Sequence, residues 1–150
     1  MICSVLVLAF TSCTKEDNER VTTGTSTLLG TNNVPAVTTT ATAKASYSYN
    51  ALRRVFTYQV EYTGLTDSCT QIGIARASAG QAVPASAFQL FNFNTPASLQ
   101  RRTAATYAGF FIVDGYQMVL DDLLTGKYCI YLRSKAFNTG GGEIRAQISF

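Results

Sequence analysis

The last twenty-six residues of the chain contain two strand-like segments joined by a glycine-rich turn. In the first segment, Tyr128, Ile130 and Leu132 project to one side and the residues between them to the other. Residues 143–150 alternate in the same way, and this period of two is typical of half-buried strands. Three consecutive glycines at 140–142 can adopt positive φ without steric cost, which suits a sharp reversal. The pattern predicts a hairpin whose second strand holds the terminus in a sheet.

The rest of the chain shows the same short alternation, interrupted by turn signals roughly every ten residues. The predicted strands are 25–30, 38–49, 52–62, 69–77, a fifth at Phe88, Leu90, Phe91 and Phe93, and 104–113. The one predicted helix is 116–124, where apolar residues form a stripe and Gly126 follows as a C-cap. These features predict an all-β sandwich or barrel of about eight strands with one short helix.

The N-terminal residues are typical of an exported lipoprotein. Residues 1–12 form a short apolar segment that ends in small residues, which indicates a signal peptide rather than a membrane span. Cys13 directly follows, as in the lipobox of bacterial lipoproteins, and is therefore the predicted lipidation site. Residues 13–24 are polar with mixed charge and are predicted to be a flexible tether. The acidic residues after Lys15 resemble a surface-export tag, so we expect an outer-membrane lipoprotein exposed at the cell surface.

The chain contains no histidine, and its net charge of +3 is carried by scattered basic residues. Without histidine, a Ser-His-Asp triad and histidine-ligated zinc or copper are excluded. A nucleic-acid-binding protein is expected to show a clustered basic stripe, and none is evident. The neighbouring carboxylates Asp121 and Asp122 diverge on the predicted helix, so we interpret them as a solvated helix face. We therefore predict no metal, no cofactor, no nucleic-acid partner and no catalytic activity.

Several motifs, in order along the chain, resemble the CHRD domain, the module first named from chordin. They are Leu29-Gly30-x-Asn32-Asn33-Val34-Pro35, Tyr62-Thr63-Gly64-Leu65, Gly126-Lys127-Tyr128, and Gly141-Gly142-Glu143-Ile144-Arg145 with Gln147. The resemblance covers about residues 25–150. It implies a Greek-key β-sandwich of the immunoglobulin-like or superoxide-dismutase-like type.

This chain departs from the family at its histidines. The family's His-Ile-His motif falls at Gln71 and Gly73, which flank Ile72, and a further family histidine falls at or next to Arg133. The metal or proton chemistry that those histidines could support is therefore not carried over. The chain resembles a histidine-less variant of the family.

Two cysteines, Cys69 and Cys129, remain once the signal segment and Cys13 are set aside. By parity, both sulfurs are predicted to lie on the face opposite their strand's core residues. In the family, those two faces carry histidines that lie close together, which implies neighbouring strands. We therefore expect a Cys69–Cys129 disulfide in an oxidising compartment. The alternative is two free thiols.

The same face yields the candidate binding residues, which are Gln71, Tyr131, Arg133, Glu143 and Arg145. Two interpretations of Glu143 and Arg145 stay open. They are either an outward recognition pair or a same-face pair that contacts a neighbouring strand and fixes register.

The functional hypothesis is an exported, lipid-anchored binding or structural module without catalysis. Its expected partners are the membrane, through the N-terminal lipid, and a surface protein or glycan. The alternatives are an accessory subunit of a surface assembly and an enzyme of unrecognised type, such as a dismutase by fold analogy alone.

Overall fold

The computed structural model describes residues 20–83 and 102–150, and they form an antiparallel β structure with one short helix. In chain order the elements are β1 Val21–Leu29, a 3₁₀ turn Gly30–Asn32, β2 Thr42–Asn50, β3 Val55–Thr63, β4 Cys69–Arg76, β5 Ala105–Ile112, α1 Leu120–Leu124, β6 Tyr128–Ser134 and β7 Ile144–Gln147. The strand order is β4-β6-β7-β1-β2-β3-β5. These elements confirm the predicted all-β, sandwich-like fold.

The seven strands curl around one hydrophobic core. Every strand contributes to it, from Leu28 of β1 to Ile144 of β7. The open side is drawn together before β4 and β5, because Leu65 N–H donates to the Thr103 carbonyl and Cys69 N–H to that of Arg102. The curled sheet therefore has a buried inner face and two outer faces. One outer face is formed by β4, β6 and β7, and the other by β1, β2, β3 and β5.

Buried and exposed residues alternate along β2 and β3, and the buried ones form the part of the core that lies under these strands. The even-numbered positions of β3 are buried and the odd-numbered positions are exposed or half-buried. Phe56 and Tyr58 stack against Phe111 of β5, with ring centroids 6.5 and 5.3 Å away. The terminal Phe150 reaches the same aromatic cluster and packs edge-on against Tyr47 at 5.4 Å. β7 ends at Gln147, so the predicted strand to Phe150 is too long, although Phe150 still packs on the aromatic cluster.

The predicted C-terminal hairpin is confirmed, since β6 and β7 pair antiparallel. Gly140 and Gly142 have φ of +53° and +76° at the reversal. A Cβ at Gly142 would lie 2.1 Å from the Leu132 carbonyl oxygen, so a side chain is excluded there. Glycine is needed at this turn for both its backbone angle and its close approach to β6.

Other boundaries differ from the predictions. β1 begins at Val21, so residues 21–24, predicted as tether, instead pair with residues 47–50 of β2. The predicted fifth strand around Phe88–Phe93, the signal segment and Cys13 all lie outside the described residues. The predicted strands at 69–77 and 104–113 are confirmed to within one residue.

The helix is shorter than predicted and begins at Leu120. The preceding residues form a tight turn, because one carboxylate oxygen of Asp114 accepts backbone N–H groups of Tyr116 (2.9 Å), Gln117 (2.8 Å) and Met118 (3.2 Å). Such local side-chain bonds compete with a helix. Gly126, at φ +71°, ends the helix as predicted, donating its N–H to the Leu123 carbonyl.

The predicted disulfide is wrong, because Cys69 and Cys129 are both free and buried. In the β4–β6 ladder Cys69 lies opposite Ser134, whereas Cys129 lies opposite Ala75, about 20 Å away along the strands. An irregularity between Cys69 and Gln71 also turns Cys69 into the main core, away from the face of Cys129. Parity along a regular strand misses such a bulge.

Candidate binding surface

The positions matched to family histidines form a closed hydrogen-bonded group on the outer face of β4, β6 and β7. Arg133 donates from Nη1 to Gln71 Oε1 at 2.7 Å, and Gln71 Nε2 donates to the Tyr131 hydroxyl at 3.3 Å. The Arg133 guanidinium also lies 5.2 Å from the centroid of the Tyr131 ring. Its remaining donors bond to the Gly140 carbonyl. The group is thus bonded internally, and of its three side chains only Arg133 is partly exposed.

Gly73 belongs to this arrangement because it lies directly opposite Tyr131. A Cβ at Gly73 would lie 2.5 Å from the tyrosine hydroxyl oxygen. The tyrosine ring therefore occupies the space that a side chain at position 73 would need. A histidine could not be restored at Gly73 without displacing Tyr131.

Glu143 is fully buried and connects three separate segments at the end of the sheet. Its Oε1 accepts hydrogen bonds from the Thr39 hydroxyl at 2.6 Å, the Thr66 hydroxyl at 2.7 Å and the Thr66 backbone N–H at 2.9 Å. Burial by itself raises the pKa of the Glu143 carboxyl. The nearby Ser134 hydroxyl and the hydrogen bonds from Thr39 and Thr66 outweigh burial and hold the pKa of Glu143 below its ordinary value.

Arg145 is 2% exposed and ties the segment after β4 back across the same face. It donates to the carbonyls of Ala77 (3.1 Å) and Ser78 (2.9 Å) and also to that of Gln81. Beside it, Gln147 donates to Ala77 as well, at 2.9 Å. These contacts favour the structural interpretation of Glu143 and Arg145 over an outward recognition pair.

We call this surface of β4, β6 and β7 the closed face. A second, small apolar cluster lies on it, formed by Ala75, Ala77, Val83, Cys129 and Tyr131. Burial raises the pKa of the Cys129 thiol, and burial likewise raises that of Cys69 in the main core. Of the five predicted binding residues, four are buried and only Arg133 is partly exposed, and Glu143 bonds to Thr39 and Thr66 rather than to the other four.

Asp122 is also placed differently from the prediction of a solvated helix face. It is 4% exposed and pairs with Arg76 and, at 2.8 Å, with Lys127. The Lys127 ammonium, helped by the Arg76 guanidinium, holds the pKa of Asp122 below its ordinary value despite burial. Its neighbour Asp121 is exposed, as predicted.

The outer face of β1, β2, β3 and β5 is open and rich in hydroxyl groups. Register places its side chains in rows across the four strands. The rows are Thr23–Ser48–Thr57, Thr25–Ser46–Gln59–Ala108 and Thr27–Lys44–Glu61–Thr106, and we call them the hydroxyl face. All of these residues are exposed except Ser48, which is half-buried. The sequence signal was present, since hydroxyl residues recur at every second position in β1 and at most of the outward positions of β2, but it was interpreted only as the solvent side of a strand.

Two shallow depressions lie on this half of the sheet. One, of about 490 Å³, is floored by Tyr47 and Tyr58 and bordered by the serine and threonine rows. The other, of about 540 Å³, lies towards the far ends of the strands, between Thr42, Thr63 and Ala104. Within residues 20–83 and 102–150, no cluster of three or more cysteine, aspartate and glutamate side chains could hold a metal ion. In the same part of the chain, no helix has the length and apolar character needed to cross a membrane.

A family model for the CHRD domain matches residues 24–148, which is nearly the whole of the folded unit. The chain belongs to the CHRD domain family. A search of curated proteins and a search of solved structures each found no match.

In this CHRD domain the signature residues have structural roles. Asn33 of the Asn-Val-Pro motif donates to the carbonyls of Gly142 (3.3 Å) and Glu143 (3.0 Å), which belong to the glycine-glutamate motif 109 and 110 residues later. The two most specific motifs of the resemblance therefore contact each other at one end of the sandwich. They are explained by the fold, whereas the hydroxyl face is left exposed in the described residues.

Proposed function

We propose that this CHRD domain is the folded part of an exported, lipid-anchored envelope protein that binds a glycan on its hydroxyl face and catalyses no reaction. The proposal combines the lipoprotein-like N-terminus with the one extended polar surface that the described residues leave open.

The observation that supports this proposal is the regular array of hydroxyl and amide groups on that face. Serine and threonine hydroxyls both donate and accept hydrogen bonds, and Gln59 adds an amide that does the same. A carbohydrate presents the same type of group, so each side can satisfy the other. Four strands spaced by about 4.8 Å make the face about 15 Å wide, which suits a chain of several sugars better than one.

The charge on the face also favours a neutral or weakly charged ligand. Lys44 and Glu61 are direct cross-strand neighbours, so their opposite charges compensate. Around them the rows are uncharged. A strongly anionic or cationic ligand would find no matching field here.

Catalysis is disfavoured by how the acidic side chains are used. Glu143 is bonded to Thr39 and Thr66, and Asp122 is paired with two cations. Asp114 accepts three backbone N–H groups. A general base must reach the proton that it removes, and these carboxylates are already engaged in structural contacts.

Glycan binding is tested by probing an array of bacterial surface and extracellular polysaccharides with the purified protein. In a variant combining Thr25→Val, Ser46→Ala and Thr57→Val, side-chain shape is nearly kept and three hydroxyls are lost. We expect its affinity to fall at least about tenfold, since each hydrogen bond contributes about 0.5–1.5 kcal/mol. Thr139→Val, an exposed hydroxyl at the β6–β7 turn, is the matched control and should bind like the parent.

Equal binding by the triple variant would refute the hydroxyl face as the site. Failure to bind any glycan, with a stoichiometric protein partner recovered from the envelope instead, would favour the accessory-subunit alternative.

The anchor is tested separately. Cys13→Ala should leave an unprocessed precursor that no longer incorporates a palmitate analogue, whereas Cys69→Ala should label normally. Normal labelling of Cys13→Ala would refute the lipoprotein assignment.

A further inference from the structure

Of the four most exposed large hydrophobic residues in the described parts of the chain, three gather at one end of the sandwich, and the fourth is Tyr116 at 81%. The side chain of Leu52, in the β2–β3 turn, is 74% exposed, and those of Phe110 and Ile112 at the end of β5 are 67% and 64% exposed. Val21, at 47%, completes the group on β1. Together with Val55, we call these residues the apolar tip.

Register makes the tip one continuous surface. Val21, Asn50, Val55 and Ile112 form a row straight across four strands, and Phe110 lies in the next row. Of these residues, Val21, Asn50, Val55 and Phe110 border a groove of about 340 Å³ between β1, β3 and the end of β5. The outer face of these four strands thus changes from hydroxyl groups to apolar groups within a single strand length.

Positive charge surrounds the tip. Arg20 precedes β1, Arg53 and Arg54 form the β2–β3 turn, and all three are exposed. The turn is tied to both neighbours, since Ala51 N–H donates to the Arg20 carbonyl and Val113 N–H to the Arg54 carbonyl. The nearest acids along the chain are Glu19, which directly precedes Arg20, and Asp114, whose carboxylate accepts backbone N–H groups of the following turn.

The N-terminal chain enters the fold at this same end. Seven residue steps separate Cys13 from Arg20. Even fully extended they span at most about 25 Å, whereas the nine-residue β1 places the opposite end of the sheet about 30 Å farther away. A lipid on Cys13 therefore brings the tip, and not the opposite end, close to the bilayer surface.

We propose that the apolar tip docks on an anionic lipid surface, with Phe110, Ile112 and Leu52 in the interface and the three arginines against lipid headgroups. Apolar and aromatic side chains bordered by arginine are the chemistry that binds such interfaces. This inference rests on the proposed lipid anchor. Docking through the tip would place the strands across the plane of the membrane surface, so that the hydroxyl face extends away from the bilayer.

The chain contains no tryptophan, so one introduced tryptophan is an unambiguous reporter. The full acylated protein carrying Phe110→Trp is reconstituted in vesicles of phosphatidylethanolamine and phosphatidylglycerol, with and without brominated acyl chains. We expect bromine to quench its fluorescence at least about twofold, because the ring lies at the interface. Phe137→Trp, in the β6–β7 turn at the opposite end, is the matched control and should not be quenched.

Leu52→Trp provides a second reporter in the turn and should behave like Phe110→Trp. In the Phe110→Trp background, Arg20→Gln with Arg53→Gln should reduce quenching in the phosphatidylglycerol vesicles to the level seen in pure phosphatidylcholine vesicles.

The outcomes separate the docking proposal from the anchor on which it rests. Protein that floats with the vesicles but shows no quenching at positions 110 and 52, or equal quenching at 137, refutes docking and leaves the anchor intact. Protein that neither floats nor incorporates palmitate refutes the anchor and the docking together.

Discussion

The two outer faces of the sandwich come from the same alternating sequence pattern, but in the structure one face is buried and the other is exposed. On the closed face of β4, β6 and β7, Gln71, Tyr131 and Arg145 are buried and bonded within the domain. On the hydroxyl face of β1, β2, β3 and β5, the equivalent positions are exposed. Polar character alone therefore does not mark a surface for binding in this fold.

The difference has a specific cause. Arg145 and Gln147 of β7 hold the backbone of residues 77–81 against the closed face through their side chains. On the hydroxyl face, threonine and serine side chains are too short to reach over a covering segment, and the contacts among them are local, such as Ser48 to Thr57 at 2.7 Å. The side chains of Arg145 and Gln147 therefore close one face, whereas the mainly short hydroxyl side chains leave the other open.

The largest difference in stability between the two faces is expected when the buried Arg145 is replaced. Arg145→Met should lower the free energy of unfolding by about 3–5 kcal/mol, because the carbonyls of Ala77, Ser78 and Gln81 lose the donor of a buried guanidinium. Lys44→Met, on the hydroxyl face, should change it by less than about 0.5 kcal/mol. Urea denaturation measures both. Similar losses in the two variants would contradict the distinction between the faces.

The rate of thiol alkylation provides a second test of the difference between buried and exposed positions. Cys69 and Cys129 are buried, so native-state alkylation should be at least about a hundredfold slower than for an introduced Thr25→Cys on the hydroxyl face. Peptide mapping after denaturation without reductant should then show both native cysteines alkylated. Recovery of a Cys69–Cys129 cross-linked peptide would show that the strand register is wrong.

Acid titration separates the buried and exposed carboxylates. The folded-state pKa of Glu143 is lowered, so its carboxylate stabilises the fold above the ordinary glutamate pKa of about 4.3. That contribution is lost as pH falls through the folded-state pKa. The stability gap between the parent and Glu143→Gln should therefore narrow between about pH 6 and about pH 3.

Glu61→Gln, an exposed change of the same chemistry, is the control for the titration. Its stability relative to the parent should vary less over the same pH range. A gap for Glu143→Gln that stays constant or widens on acidification would contradict the hydrogen bonding assigned to Glu143.

The smallest effect is expected on the open side. Ser48→Ala and Thr57→Val each remove one hydroxyl of an exposed pair, and each should change unfolding free energy by less than about 0.5 kcal/mol. Thermal unfolding is sufficient to measure this. A loss above about 2 kcal/mol would mean that the hydroxyl face is part of the structural framework.

Much of the fold could be predicted from local pattern. The period of two predicted β3, β4 and β5, and Gly126 was recognised as the cap of the helix. Both features could be predicted because they depend on residues that are close together in the chain. The helix start was missed because Asp114 captures three backbone N–H groups. Of the predicted binding residues, only Arg133 is partly exposed, because long-range contacts that the sequence pattern does not show bury the other four.

The sequence by itself determined the strand pattern, the glycine positions, the family and the lipoprotein-like N-terminus. Only the tertiary structure decided which outer face is covered, which side Cys69 occupies and where the exposed apolar residues gather. The physical reason is that alternation separates two faces of a strand without saying what packs against either. Arg145 closes its face through carbonyls 64 to 68 residues away, and such long-range contacts leave no periodic trace in sequence.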